Sequence, residues 1–304
     1  MFWNVENAFW PDDDPERDDD EFTPEGTRHW THGRMRQKLL QLTRVIVAAG
    51  DGRAPMLVGL AEVEGDSLMQ YWTQHTPLWD QHYRYVVTHG PDRRGIQTAL
   101  LYQPSDFCLL SAEGYDVALG ADSRPTRQVL HAAGRLVSGD TLDVLVCHLP
   151  SRLGGARQSR PLRDAAHRTV MHLADSLCRQ RLRPNLIIMG DMNDAPSRRH
   201  AWWGSGYTNL MLPLQQGLRR HPSRYGSHKY QGEWTFLDQF IVNQALLSSA
   251  TLRLSGARSF ALPFMLIDDE SHLGHRPSRS YYGYQYEGGY SDHLPILLDL
   301  DVVF

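Results

Sequence analysis

"LIIMGDMNDAPS", residues 186–197, is the stretch on which the reading of the fold turns. Four apolar residues run straight into Gly190, and Asp191, Asn193 and Asp194 then crowd a tight turn. Asp and Asn hydrogen-bond their own backbone well, so a Gly–Asp turn can be plain loop chemistry. Two carboxylates and a carboxamide at the end of a buried strand can also face a ligand, because loops at strand ends are where rigid scaffolds carry function. The rest of the chain chooses between these readings.

The pattern recurs. "PMLVGLAEVEG", residues 55–65, is an apolar strand that ends in Glu62 and Glu64. Asn4 sits inside a short first strand at residues 2–6, and His148 ends "LDVLVCHLPS". Asp238 interrupts "WTFLDQFIV", residues 234–242, and Asp292 and His293 open the late strand "HLPILLDLDV", residues 293–302. Further strands are expected in "YRYVVT" and "TALLYQ" around the turn "HGPDRRG", and as a hairpin over 129–137 and 142–149. Two helices follow from a 3.6-residue apolar period: residues 34–49, with Leu39, Leu42, Val45, Ile46 and Ala49, and residues 160–181, with Leu162, Ala166, Val170, Leu173 and Leu177. Gly50 stops the first and Pro184 closes the second. The acidic run "PDDDPERDDDEF", residues 11–22, reads as a solvated loop, since like charges repel. No repeat or low-complexity linker divides the chain, so one domain over residues 1–304 is expected, with strands outnumbering helices and two sheets packed inside flanking helices.

Composition narrows the class. The 304 residues are 41% hydrophobic and 22% charged, ordinary for a globular chain with a sizeable core. No apolar run approaches the roughly 18 residues of a membrane span. The N-terminus has no basic segment or cleavage site, so the cytoplasm is expected, although a leader removed before residue 1 would leave the same appearance. Cys108, Cys147 and Cys178 form no CxxC, which argues against disulfides and thiolate metal sites; all three are expected to be buried and inert. The net charge of −4 lacks the basic excess of a non-specific duplex-DNA coater. Lys38 and Lys229 are the only lysines, so the remaining cations are arginines, whose fixed fork suits phosphate.

"FWNVEN", "GLAEVE", "CHLPSR", "GDMND", "FLDQFIV" and "YSDHLPI" occur in the order of the motifs of the endonuclease/exonuclease/phosphatase superfamily, the fold of pancreatic deoxyribonuclease I, and the sequence resembles that superfamily from residue 2 to residue 301. "HLPSRLGG" and "YQGEW" look like a bacterial branch. The resemblance implies an α/β fold, a four-layer α/β/β/α sandwich of two mixed sheets flanked by helices. It also implies hydrolysis of a phosphoester with Mg²⁺, or Mn²⁺ in its place, by in-line attack of an activated water.

Elementary chemistry agrees. Phosphoester hydrolysis needs a cation on the phosphoryl oxygens and an oriented water. Mg²⁺ takes oxygen ligands, one or two carboxylates sufficing. Glu62 suits that role and matches the family's metal-binding glutamate, with Asn4 holding a metal-bound water or the carboxylate, and Asp292 approaching the metal from the other side. Glu64 lies on the same strand face if the strand persists. Asp191 can accept a proton from the attacking water, and Asn193 can orient that water or the phosphate; Asp194 is expected to stabilise the turn. An Asp in the apolar run around Asp238 would be costly if unpaired, and His293 on a neighbouring strand would satisfy it, fixing and charging the imidazole as a general base or a transition-state stabiliser. His148 matches a family position that contacts phosphate. Arg152 and Arg127 are candidate phosphate ligands, while Arg163 and Arg168 read equally well as a solvated helix face. The aromatic-rich segment 278–293 leads into the site, where it can stack a base or a sugar or pack on itself.

The expected substrate is a phosphodiester, nucleic acid or a smaller diester. The alternatives are a phosphomonoester such as an inositol phosphate, or binding without catalysis. A monomer is expected.

Overall fold

A computed structural model of the chain describes residues 1–304 apart from 51, 121, 122, 153, 219, 222, 223 and 304. Leu153 of the "HLPSRLGG" motif therefore lies outside the described residues.

Two six-stranded mixed sheets pack face to face. The first has the order β13 (Leu252–Ser259), β18 (Ile296–Val302), β1 (Phe2–Ala8), β2 (Leu57–Val63), β4 (Gln97–Tyr102), β3 (Arg84–Val87). The second runs β5 (Phe107–Tyr115), β6 (Val129–Leu136), β7 (Thr141–His148), β8 (Leu186–Asp191), β12 (Asp238–Asn243), β9 (Tyr207–Asn209). Each sheet contains one parallel pair, β1 with β2 and β7 with β8, and every other pairing is antiparallel. A parallel pair needs a long crossover, usually a helix. Those crossovers are α1 (His32–Ala49) and α3 (Arg160–Gln180), the two helices whose apolar period is clearest.

The layers follow from three cores. Phe2, Leu100, Val146, Met189 and Phe240 fill the space between the sheets. Trp3, Leu39, Leu42, Trp72 and Leu101 join the first sheet to α1 and α2 (Asp66–His75). Leu145, Ile188, Ala166, Val170 and Leu177 join the second sheet to α3. This is the four-layer α/β/β/α sandwich.

Several local expectations need correction. "WTFLDQFIV" is not one strand: Glu233–Thr235 pairs in a hairpin with His228–Tyr230, and the sheet strand begins only at Asp238. The break is held by side chains, since the Phe236 N–H donates to Gln215 Oε1 and the Asp238 N–H to Ser227 Oγ. The last strand starts at Ile296 rather than His293. The acidic run is not wholly solvated. Phe22 is buried and stacks on Phe9 with ring centroids 4.2 Å apart, and Asp19 is buried with it. Of the cysteines only Cys147 is fully buried; Cys178 is half-buried and Cys108 exposed. Helix α2 and strands β5 and β13 were not evident in the sequence.

Candidate active site

Both parallel pairs end at one pole, and their last residues meet there. The pairing of Asn4 with Ala61 and of His148 with Asp191 brings Asn4, Glu62, His148 and Asp191 to neighbouring strand ends. The antiparallel pairing of Asp238 with Asp191 adds the start of β12. An isolated bridge from His228 to His293 adds the approach to β18. Gly190 is needed for this arrangement, because a Cβ there would lie 2.4 Å from the Cys147 carbonyl oxygen.

The backbone is bent where the polar groups converge. Among the described residues seven non-glycine positions have left-handed φ, and Glu6, Asn7, Glu62 and Asn193 at this pole are four of them. Such conformations cost energy and cluster at functional sites. The bend at Glu62 coincides with a register shift between Ala61 and Val63, so Glu64 does not share its face. Glu64 instead accepts the Trp10 N–H, and burial pushes its carboxyl up to about 8.

Asn4 is the hub. Its Nδ2 donates to Glu62 Oε1 at 3.1 Å and to Asp191 Oδ2 at 3.0 Å, and its Oδ1 accepts the Glu6 N–H at 3.0 Å. A backbone N–H can only donate, so this contact fixes which end of the amide is oxygen. Asn4 therefore orients the two carboxylates through its Nδ2. The other Glu62 oxygen accepts the Asn7 N–H at 2.9 Å, and Asp191 Oδ1 accepts the Asn193 N–H at 2.9 Å. His148 Nε2 lies 3.7 Å from both Glu62 Oε1 and Asp191 Oδ2, and its buried Nδ1 has no partner. Burial, with Arg127 and Arg94 adding to it, holds His148 well below the usual histidine range, so it is neutral. Asp191 is raised by burial, the nearby Asp238 adding to this and His293 opposing it.

His293 and Asp238 form the expected pair, with Nδ1 and Oδ2 2.7 Å apart and both residues buried. Burial alone would lower this imidazole, but the charge and hydrogen bond of Asp238 hold it well above its ordinary value. It is an imidazolium at neutral pH, with Nε2 3.9 Å from Asp191 Oδ2. The other Asp238 oxygen is buried without a partner.

The remaining candidates stand differently. Asn193 Nδ2 donates to the Leu149 carbonyl at 3.0 Å, which anchors its side chain beside Asp191. Asp292 is not beside Glu62 in any hydrogen bond or ion pair among the described residues; its Oδ2 accepts Arg279 Nη2 at 3.1 Å. Arg127 is buried, donating to the Leu149 carbonyl at 2.8 Å and facing Asp92 Oδ2 at 3.4 Å. Arg152 Nε donates to the Asn193 carbonyl and its Nη2 to Asp194 Oδ1, at 2.8 and 2.7 Å. Both arginines reach the pole, and each already donates to a neighbouring backbone carbonyl and faces a carboxylate. Asp194 does steady its turn, through Arg152 and through Arg163 Nε at 3.8 Å.

A second network was missed in the sequence. Glu6 is buried, and its oxygens accept Arg279 Nε at 3.3 Å and the Ser280 N–H at 2.7 Å. Lys38 is buried in α1 and donates to Ser280 Oγ and the Tyr290 carbonyl. The His228 ring lies tilted against His293, centroids 4.7 Å apart and planes at 46°, and burial with that cation lowers it to about 4. Lys38 breaks the apolar stripe that includes Met35, Leu39 and Leu42, and that lone charge was the available signal.

The donor set fits a hard divalent ion. Glu62 and Asp191 supply carboxylate oxygens, and their only ion-pair partners among the described residues are histidines. Two neighbouring carboxylates that are short of positive partners favour a cation, and Mg²⁺ or Mn²⁺ is the kind of ion that oxygen donors accept.

The sequence profile of the endonuclease/exonuclease/phosphatase family matches residues 1–302. No curated protein sequence matches the chain. Among solved structures, the mannosyl-6-phosphatase of Bacteroides thetaiotaomicron is similar with a TM-score of 0.59 at 14% identity, over 100% of this chain and 98% of that one. The human Nocturnin catalytic domain with bound sulfate anion has a TM-score of 0.56 at 18% identity, covering 88% and 86%. The D. rerio TDP2 complexed with single-strand DNA product has a TM-score of 0.58 at 17% identity, covering 87% and 93%. At such identities the likeness is one of fold.

Proposed function

The chain belongs to the endonuclease/exonuclease/phosphatase family and is a phosphoester hydrolase; on that premise we propose that it cleaves a phosphodiester, nucleic acid or a smaller diester, with Mg²⁺ or Mn²⁺. The observation that carries this reading is the convergence of Glu62, Asp191, His148 and the His293–Asp238 pair at one pole, around carboxylates whose only ion-pair partners among the described residues are histidines. Glu62, oriented by Asn4 and the Asn7 N–H, would hold the ion, which when bound neutralises charge on the phosphoryl oxygens.

The protein's own groups then divide the work. Asp191 takes a proton from the attacking water, its carboxylate aligned by Asn4 and by the Asn193 N–H. His293 donates from Nε2 to a phosphoryl oxygen, with Asp238 keeping it charged and fixing its tautomer. His148, neutral and buried, offers a further ring N–H to phosphate. Asn193 orients the water or the phosphate beside Asp191.

A panel of single- and double-stranded DNA, RNA, inositol phosphates and bis-p-nitrophenyl phosphate, each with Mg²⁺ and with Mn²⁺, tests this. Hydrolysis of diesters that EDTA abolishes and Mg²⁺ restores is expected, with Glu62→Gln folded but inactive. Full activity in excess EDTA would sink the metal-dependent reading. Turnover of the inositol phosphates alone would move the assignment to phosphomonoesters.

A further inference from the structure

The turn that carries Asp191 and Asn193 runs on through Asp194 into a short 3₁₀ turn, Arg198–His200, and then to Trp202 and Trp203, which dock on α3. Trp203 is buried, and Trp202 stacks on His167 of α3 with centroids 4.1 Å apart. A cavity of about 250 Å³ lies between this segment and the start of α3, with Arg160, Asp164 and His167 on one side and Asp194, Arg199 and Trp202 on the other. Its charge is lopsided. Asp194 pairs with Arg152 at 2.7 Å and Arg163 at 3.8 Å, and Asp164 pairs with Arg160 at 3.6 Å. Arg160 also donates to His200 Nδ1 at 2.8 Å. With Arg199, whose guanidinium has no hydrogen bond or ion pair among the described residues, the cations outnumber both carboxylates. His167 is 3% exposed with no partner at either ring nitrogen, and Arg163 Nε is buried without one. Buried polar groups are ordinarily hydrogen-bonded, so this wall of the cavity lacks a partner that a ligand would supply.

We propose that this cavity is a phosphate subsite separate from the catalytic pole, in which Arg199 and Arg160 hold the oxyanion at the mouth and His167 hydrogen-bonds it from within. The guanidinium fork suits phosphate oxygens. Burial keeps the imidazole neutral, so it offers one N–H and one lone pair. A phosphate that still carries a hydroxyl, whether the free ion or a terminal phosphomonoester, both accepts and donates and so answers both nitrogens. Sulfate, of the same shape, only accepts. The subsite shares Asp194 with the catalytic turn, so its ligand stands beside Asp191 and Asn193 rather than on them. The pole cleaves; this cavity binds.

Calorimetric titration of the whole chain with inorganic phosphate in EDTA tests the subsite without metal or turnover, so its outcome is independent of metal-dependent hydrolysis. The same titration of His293→Ala does so with the imidazolium of the pole removed, and phosphate should still bind there. Arg199→Gln alters an exposed position and should weaken binding at least about tenfold, the worth of one charge-assisted hydrogen bond. His167→Phe keeps the stacked ring and should weaken it by a similar factor, and sulfate should bind less tightly than phosphate. Adenosine 5′-monophosphate separates the two sources. Binding of this nucleotide with the same sensitivity to Arg199→Gln assigns the subsite to a phosphorylated end, and binding of inorganic phosphate alone assigns it to the free ion. Binding that disappears in His293→Ala would place the phosphate at the pole and overturn the proposal. So would no binding at all, an affinity unchanged in Arg199→Gln or in a folded His167→Phe, or sulfate bound as tightly as phosphate, each of which leaves only a solvated cationic surface. If His167→Phe fails to fold, Arg199→Gln and the sulfate comparison still decide.

Discussion

Two buried histidine–aspartate pairs sit on the second sheet's side of the molecule, and they are nearly identical as pairs. His293 Nδ1 lies 2.7 Å from Asp238 Oδ2, and His131 Nε2 lies 2.8 Å from Asp143 Oδ1. Their surroundings separate them. Asp143 is five residues before His148 on β7, about 17 Å from the catalytic pole at 3.3 Å per residue. There Arg181, just past the end of α3, grips both Asp143 oxygens, at 2.8 and 2.9 Å. That pair is closed. In the other, Asp238 has an oxygen with no partner and His293 has Nε2 turned toward Asp191. A histidine–aspartate contact is therefore not itself a sign of chemistry; what the second nitrogen and the second oxygen face decides.

The largest expected effect follows from that contrast. On a substrate the panel identifies, His293→Ala should lower kcat by about 10²–10⁴, the usual worth of a positioned acid–base group. Asp238→Asn should lower it substantially too, and the double variant should lose little more than the worse single, because the two act as a unit. His131→Ala should leave kcat close to wild type in whatever fraction stays folded. Steady-state kinetics on active-site-titrated protein measure all four. Strictly additive losses at 293 and 238, or an equal loss at 131, would erase the distinction between the pairs.

Stability should show the reverse order. Asp143→Ala leaves His131 and Arg181 facing a void where a bidentate carboxylate stood. Removing one member of a fully buried pair costs about 3–5 kcal/mol. Arg181 is 32% exposed and regains some water, so a loss of about 2 kcal/mol is the expectation. The acid limb should shift as well. Burial would raise Asp143, but Arg181 and His131 hold it below the usual carboxylate range. A carboxylate depressed in the folded state stabilises above its unfolded value near 3.9, and the contribution is lost as pH falls through the lower folded value. Urea unfolding of Asp143→Ala at neutral pH and below pH 4 would expose both effects; an unchanged midpoint at pH 7 would mean that the closed pair contributes nothing.

Much of this was legible in the sequence, for reasons that can be named. Period-2 strands and two 3.6-period helices give the layers, and polar residues at apolar strand ends mark Glu62, His148, Asp191 and Asp238. Where the argument depended on backbone irregularity it failed. The left-handed turn at Glu62 removes Glu64 from the face that simple alternation assigns it. β5 and β13 lie at sheet edges and are mostly exposed or half-buried, and such strands carry no strong apolar signal. The Glu6–Arg279 contact joins residues 273 apart and exists only because the aromatic-rich segment folds back over β1. The arginines teach the same limit: proximity to the pole was readable for Arg127 and Arg152, but not the Asp92 and Asp194 partners that engage them.

A third buried histidine sharpens the comparison with the smallest expected effect. His167 on α3 is 3% exposed, has no partner at either ring nitrogen, and stacks on Trp202 with centroids 4.1 Å apart and planes 3° from parallel. No carboxylate pairs with it among the described residues. Burial, with Arg163 adding to it, lowers it to about 3. The unfolded chain takes up a proton near pH 6.5, and the folded chain does not until far lower pH. The stability that neutral His167 supplies is thus complete above about pH 6.5 and is lost as pH falls from there toward 3. One pH unit into that window the loss is on the order of 1 kcal/mol. His167→Phe keeps the stacked ring and cannot take up a proton in either state. Its urea midpoint should fall less than the wild type's between pH 7.5 and 5.5, with the remaining slope left to residues such as His228, which is lowered to about 4. His293 contributes oppositely: raised by Asp238, it stabilises fully below pH 6.5 and loses that contribution as pH rises through its folded value. Asp238→Asn should therefore reduce stability at pH 5.5 more than at high pH, and His167→Phe should not. Parallel pH profiles for wild type and His167→Phe would mean that the stacked imidazole is not held neutral by its burial.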